Sequence, residues 1–220
     1  MDIKNAVILI TSAGSQLGGT LASHFASLGA TLVLCDKNPA RLQQTVQSCQ
    51  QISTKIYSCA IVDYSVDAIH DLFHYMDDTL GHSPDVLINA ITSHAMPTIL
   101  EQSGREIFTQ QLSHMAATLF SFGQATAERM RMEKKNGVIV NVIAHADYRD
   151  LSGFDNATSM VAGFTQSWAK ELTPFNIRVG GVVPSYDVDD VHWSEIHDEL
   201  IRNTEYIVAN DYFSGRVMAA

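Results

Sequence analysis

The 220-residue chain is predicted to fold as one α/β domain spanning residues 1–220, a doubly wound parallel sheet in three layers, α/β/α. Three observations predict it. Short, continuously apolar runs alternate with stretches of helical periodicity from end to end, with no linker or repeat between them. The first apolar run stops at a turn of small residues that leads directly into a helical pattern. The chain is 46 % hydrophobic and 17 % charged, which suffices for one large core.

The elements follow in order. Val7-Ile-Leu-Ile10 is a buried strand, and Thr11-Ser12-Ala13-Gly14-Ser15-Gln16-Leu17-Gly18 is the turn after it. Unpaired N–H groups at the start of the next helix carry partial positive charge and favour a phosphate. Residues 31–35 form the second strand, ended by Asp36, and an acid there can accept both ribose hydroxyls of an adenosine, which favours NAD over NADP. Asn38 and Pro39 open a helix to about residue 51. A third strand covers 55–62 and ends at Asp63. Ser65 and Asp67 then open a helix whose Ile69, Leu72, Phe73 and Met76 have core spacing. Strands at 85–90, 137–143 and 177–183 alternate with helices at 105–135, 154–172 and 189–209, and a short seventh strand fits 216–219.

Composition narrows the function. The formal charge of −10 argues against nucleic acid or an anionic membrane as partner. No apolar run reaches membrane-spanning length, and with the first strand starting at Val7 no signal peptide is expected. Cys35, Cys49 and Cys59 form neither a CxxC nor a Cys/His cluster, so they are expected to be reduced, partly buried thiols in a cytoplasmic protein, with no metal site.

The order of these motifs resembles the short-chain dehydrogenase/reductase family over nearly the whole chain. The landmarks are Thr11 to Gly18, Asp36, Asp63-Tyr64-Ser65, Asp85 to Ala90 with Asn89, Gly137 to Asn141, Trp168 to Leu172, and Asn176 to Pro184. The resemblance implies a Rossmann-like fold. It also implies a nucleotide site at Thr11, Ser12, Gly14, Gln16, Leu17, Gly18, Asp36, Asp63 and Asn89, with Asp63 beside the adenine and the Asn89 stretch under the cofactor. Within it the loop departs: Ser12 and Gln16 stand where the family has glycine, and Gln16 is expected to crowd the pyrophosphate.

The catalytic positions depart further. The family uses a Tyr proton donor, a Lys four residues on, a Ser and a helix Asn. Aligned on Gly137 to Asn141, these fall on Ala157, Val161, Ala144 and Met115. Without the Lys, a phenol with a pKa near 10 is a poor acid–base at neutral pH. Tyr212 to Arg216 has a Tyr-x-x-x-Arg spacing but follows the wrong strand. Between Pro184 and Phe213 only one helix fits, so the substrate lid is expected to be shortened or missing. His94, His114, His145, Asp147 and Tyr148 remain near the cleft; they are expected to be ordinary exposed groups rather than a new acid–base pair.

The resemblance and these losses together point to a catalytically inactive subunit with a structural or regulatory role and weak or absent NAD binding. The alternative is an NAD-dependent oxidoreductase acting on an alcohol, ketone or acyl thioester through non-standard residues. Phe108, Leu112, Met115, Leu119, Phe120 and Phe122 on one long helix, and Phe154, Met160, Phe164, Trp168 and Leu172 on the other, exceed a single apolar stripe. They predict a homodimer or homotetramer, or a heteromer with an active relative.

Overall fold

A computed structural model describes residues 1–101, 104–147, 149–185 and 193–220. Its strands are β1 (Val7–Ile10), β2 (Thr31–Asp36), β3 (Ile56–Ala60), β4 (Val86–Ser93), β5 (Val138–His145), β6 (Arg178–Val183) and β7 (Arg216–Ala219). Its helices are α1 (Gln16–Ser27), α2 (Pro39–Gln50), α3 (Val66–Leu80), α4 (Arg105–Met132), α5 (Phe154–Leu172) and α6 (Trp193–Ala209). The strands pair in the order β3-β2-β1-β4-β5-β6-β7, every pair parallel. Chain order reverses between β1 and β4, which opens a crevice at their carboxyl ends.

Alternation along each strand divides the core. Ile8 and Ile10 of β1 join Leu21, Phe25, Leu32, Leu34, Leu200 and Ile207 on the face covered by α1, α2 and α6. Val7 and Leu9 join Val33, Leu72, Phe73, Phe122, Val161 and Trp168 on the face covered by α3, α4 and α5. Full burial of each large side chain contributes about 1.5–3 kcal/mol, so both faces are indispensable. Polar caps set the helix starts. The side chains of Ser15, Asn38 and Ser65 accept from the N–H groups of Gly18, Arg41 and Ala68.

Several boundaries move from their sequence-based positions. β4 runs on to Ser93 and β5 to His145, because eight consecutive pairs from Val86↔Val138 to Ser93↔His145 carry the ladder beyond the apolar runs. β3 is shorter than expected, its register with β2 ending at Asp36↔Ala60. β7 forms and closes the far edge against β6. The predicted helix start at residues 189–192 lies outside the described residues. The α6 carboxyl end is held by Arg178, whose guanidinium donates to the carbonyls of Ile207, Val208 and Phe213 at 2.9–3.1 Å.

The apolar surplus on α4 and α5 is smaller than the sequence pattern suggested. Phe108, Leu112, Met160, Phe164 and Leu172 lie partly buried against the same core as the inward stripe. Phe164 stacks on Trp168 with ring centroids 5.3 Å apart. Phe120 is the large side chain of this group left half exposed.

Candidate functional site

A cleft of about 700 Å³ lies over the carboxyl ends of β1, β4 and β5, where chain order reverses. Its first wall is the β1–α1 loop. Ser12 holds φ at +49°, a left-handed conformation unusual for a non-glycine residue, so it adopts the backbone shape that glycine adopts freely. Below it, Gly18 admits no side chain: a Cβ there would stand 2.3 Å from the Ser12 carbonyl oxygen. Gly14 is similarly closed in, its Cβ position lying 2.7 Å from Arg41 Cβ. The loop is therefore pressed against the first turns of both α1 and α2.

Each nucleotide-site residue predicted from the sequence can be placed. Thr11, Ser12, Gly14, Gln16, Leu17, Asp36 and Asn89 line the cleft together. Thr11 is buried and its hydroxyl accepts the Ala90 N–H, joining the loop to β4. Gln16 opens α1 as an exposed residue at the rim. Gly18 is not part of the lining and supports the loop from beneath. Asp63 is also outside the lining. Its carboxylate accepts the Ser65 N–H at 2.9 Å, and this bonding to Ser65 holds its pKa below the usual carboxylate range.

Asp36 has a role the sequence did not disclose. One carboxylate oxygen accepts the Gly14 N–H at 2.8 Å and the other accepts the Asn38 N–H at 2.7 Å. The acid thus positions the loop as well as facing the cleft. Asn89 is only 1 % exposed and donates to Asn141 Oδ1, which in turn extends to Thr165. The Asn89 side-chain oxygen Oδ1 is buried and has no hydrogen-bond partner among the described residues.

Further lining residues escaped the sequence reading. Lys37 sits over the Tyr64 ring at 4.4 Å, and the Tyr64 hydroxyl is 3.5 Å from Ser12 Oγ. Burial pushes the Tyr64 phenol up. Arg41, Gln111, Thr118 and His197 complete the walls from α2, α4 and α6. The signal for Lys37 was its place beside Asp36; the others converge only through tertiary packing.

The four residues that the sequence alignment set at the family's catalytic positions are buried: Ala144, Ala157, Val161 and Met115 are 3, 0, 0 and 8 % exposed. Ala144 and Met115 border the cleft, whereas Ala157 and Val161 belong to the core behind it. His145 corrects an expectation. It is not an exposed histidine but 4 % exposed at the end of β5, its ring 4.9 Å from that of Phe154. Packing of β5 against α5 encloses it. Its Nδ1 accepts the Asp147 N–H at 3.2 Å, and burial, reinforced by His94, lowers its pKa. His94 and His114 are exposed as expected, and Tyr148 lies outside the described residues.

The Asp147 carboxylate does not orient His145. It forms a two-pronged pair with Arg149, both bonds at 2.8 Å, and that pairing brings its pKa down to about 2. Among the described residues no group of three or more His, Cys, Asp and Glu side chains is arranged to hold a metal ion. α6 is the one described helix between β6 and β7; its Leu200, Ile201, Ile207 and Val208 pack on the sheet. No described helix is long and apolar enough to cross a membrane.

Comparison with known proteins places these features. The family model for short chain dehydrogenase matches residues 6–198. A diacetyl reductase, (S)-acetoin forming, of Staphylococcus epidermidis is 28 % identical over 213 residues, covering 93 % of this chain and 80 % of that protein. A short-chain type dehydrogenase/reductase from Mycobacterium marinum superimposes with a TM-score of 0.83 at 20 % identity, over 99 % of this chain and 95 % of that one. A 3-ketoacyl-(acyl-carrier-protein) reductase from Brucella melitensis, complexed with NADH, gives 0.80 at 18 % identity, over 99 % and 97 %.

Proposed function

The chain belongs to the short-chain dehydrogenase/reductase family, and on that premise we propose that it is a catalytically inactive subunit, structural or regulatory, working in an oligomer. One reading carries the proposal: the alignment on Gly137 to Asn141 sets Ala144, Ala157, Val161 and Met115 where the family has its Ser, Tyr, Lys and Asn, and all four side chains are buried. A buried valine and alanine can neither donate a proton nor lower the pKa of one that does.

The cleft fits the two ends of NAD differently. When bound, that cofactor supplies or accepts a hydride at its nicotinamide ring. Asp36 and the α1 start would hold the adenosine and pyrophosphate end. At the nicotinamide end the lysine that the family aligns with Val161 is missing, since Val161 lies in the core behind the cleft, and Gln16 stands at the rim by the pyrophosphate. Losing charge-assisted bonds of about 1.5–3 kcal/mol each weakens binding by roughly one to two decades per contact, so NAD binds weakly or not at all.

The partner is a second copy or an active relative, docked on α4 and α5. Support comes from half-exposed Phe120 and from the shallow groove beside it, bordered by Trp168, Leu172 and Phe175. On α5, Gly163 leaves open space that permits close helix approach.

The test is turnover of diacetyl, a 3-ketoacyl thioester and a keto sugar with NADH and NADPH. No rate above background is expected. A second function, NAD-dependent oxidoreduction through non-standard residues, is favoured by one observation: His145 lines the cleft, and burial and His94 lower its pKa. A measurable rate that vanishes in His145→Gln would establish it and sink the first.

A further inference from the structure

Two cysteines with no part in the cleft meet across the sheet. Cys35 of β2 and Cys59 of β3 are direct register partners, so their side chains leave the same face of a parallel pair. Both pack with the core under α3, whereas Cys49 lies in the core on the opposite face. Neighbouring strands are about 4.8 Å apart, inside the ~4.4–6.8 Å range of Cα separations that a disulfide spans. Cβ atoms of a disulfide sit ~3.8 Å apart, so closure must tilt the two strands until their Cβ atoms approach by roughly 1 Å, with the Cα spacing staying inside that range. β3 is the sheet edge and has no strand on its outer side, so it can make that movement.

The backbone around Cys35 joins this pair to the loop. The Cys35 carbonyl accepts the Ala13 N–H at 3.0 Å, and the next residue, Asp36, accepts the Gly14 N–H. The Asp36 carbonyl accepts from Ile61, two residues after Cys59. Any shift of the two sulfurs toward each other is therefore passed to residues 11–15.

We propose that Cys35 and Cys59 form a reversible redox pair, closed to a disulfide by hydrogen peroxide, and that closure loosens the β1–α1 loop. Cys59, half-buried on the edge strand, reacts first: its sulfur takes one oxygen from the peroxide, giving a sulfenic acid and water. The Cys35 sulfur then attacks the Cys59 sulfur, the S–O bond breaks, and a second water leaves. Two thiols lose two electrons and two protons, and the peroxide is reduced to two waters. A dithiol reverses the reaction by exchange. The strain of tilting the strands keeps the bond easily reduced, as a switch requires. Burial pushes both thiols up, so closure is slow at neutral pH and accelerates as pH rises.

Trypsin separates the three cysteines, since Cys35, Cys49 and Cys59 fall in peptides 5–37, 42–55 and 56–105. The full-length protein is treated with hydrogen peroxide, alkylated, digested and analysed by mass spectrometry. A 5–37/56–105 cross-link that dithiothreitol removes is expected. Cys59 advancing to sulfinic acid without that cross-link, or a cross-link through Cys49, overturns the pairing. Amide exchange read by NMR tests the coupling. Ala13 and Gly14 should exchange at least ~3-fold faster in the oxidised protein, and Cys59→Ala treated alike should keep them protected. Unchanged exchange on oxidation, or loss of protection in Cys59→Ala, overturns the link to the loop. Neither readout depends on nucleotide binding, so the pair is judged independently of the function proposed above.

Discussion

Val161→Lys, a lysine at the position the alignment matches to the family's lysine, tests whether that position is core. Val161 is wholly buried under the sheet, among the side chains of α4, α5 and β5. A lysine ammonium there loses its water, and full burial depresses a lysine pKa by ~3–5 units. At about 1.4 kcal/mol per unit, the charged form is disfavoured by about 4–7 kcal/mol. That rivals the ~5–15 kcal/mol that holds a typical domain together. The sign with pH follows from linkage. The folded pKa is lower than the unfolded value near 10.4, so the unfolded chain binds more protons between the two. The variant should be least stable below its depressed pKa and should recover as pH rises toward ~10.4. Urea denaturation of the wild type and Val161→Lys at pH 7 and at pH 10 measures the difference. A variant as stable as wild type at pH 7, with no recovery at high pH, would refute the placement of this residue in the core. The lysine would then reach the cleft, and weak nucleotide binding could no longer be attributed to its loss.

Three further outcomes are expected. Gly18→Ala sets a methyl carbon 2.3 Å from the Ser12 carbonyl; the overpacking should cost at least ~1–3 kcal/mol and lower Tm by roughly 2–4 °C per kcal/mol. A Tm within error of wild type would show that the loop yields freely. Burial lowers the folded pKa of His145, so its contribution is fully present above the unfolded pKa near 6.5 and is lost as pH falls through the folded value. Stability measured from pH 7.5 down to 5 should therefore fall less steeply in His145→Gln than in wild type; parallel curves would assign the slope elsewhere. Light scattering at micromolar concentration should give at least twice the 24.2 kDa chain mass, and Phe120→Glu should shift it toward monomer. A wild-type monomer would remove the helix-face interface from the proposal.

The fold was legible in the sequence because its determinants are local and repeated. A strand buried on both faces must be continuously apolar, and a helix laid on a sheet must carry a 3.6-residue stripe, so β1 to β6 and the α5 limits could be read in order. The helix starts at Asn38 and Ser65 were equally local, each a side chain reaching its own backbone a few residues on. The apolar residues at the four catalytic positions were visible once a motif fixed the alignment. Tertiary structure decided whatever depends on direction or on partners distant in the chain. It turned Asp36 toward the Gly14 amide, drew Asp63 away to Ser65, and buried His145 against Phe154. It packed most of the α4 and α5 apolar residues onto one core, leaving Phe120 outward. It also set Cys35 beside Cys59, 24 residues apart in sequence but adjacent in register. Residue type and spacing specify which side of an element is apolar. Only the packed neighbours determine where a polar side chain points, because its hydrogen-bond partner is chosen from groups that folding alone brings within reach.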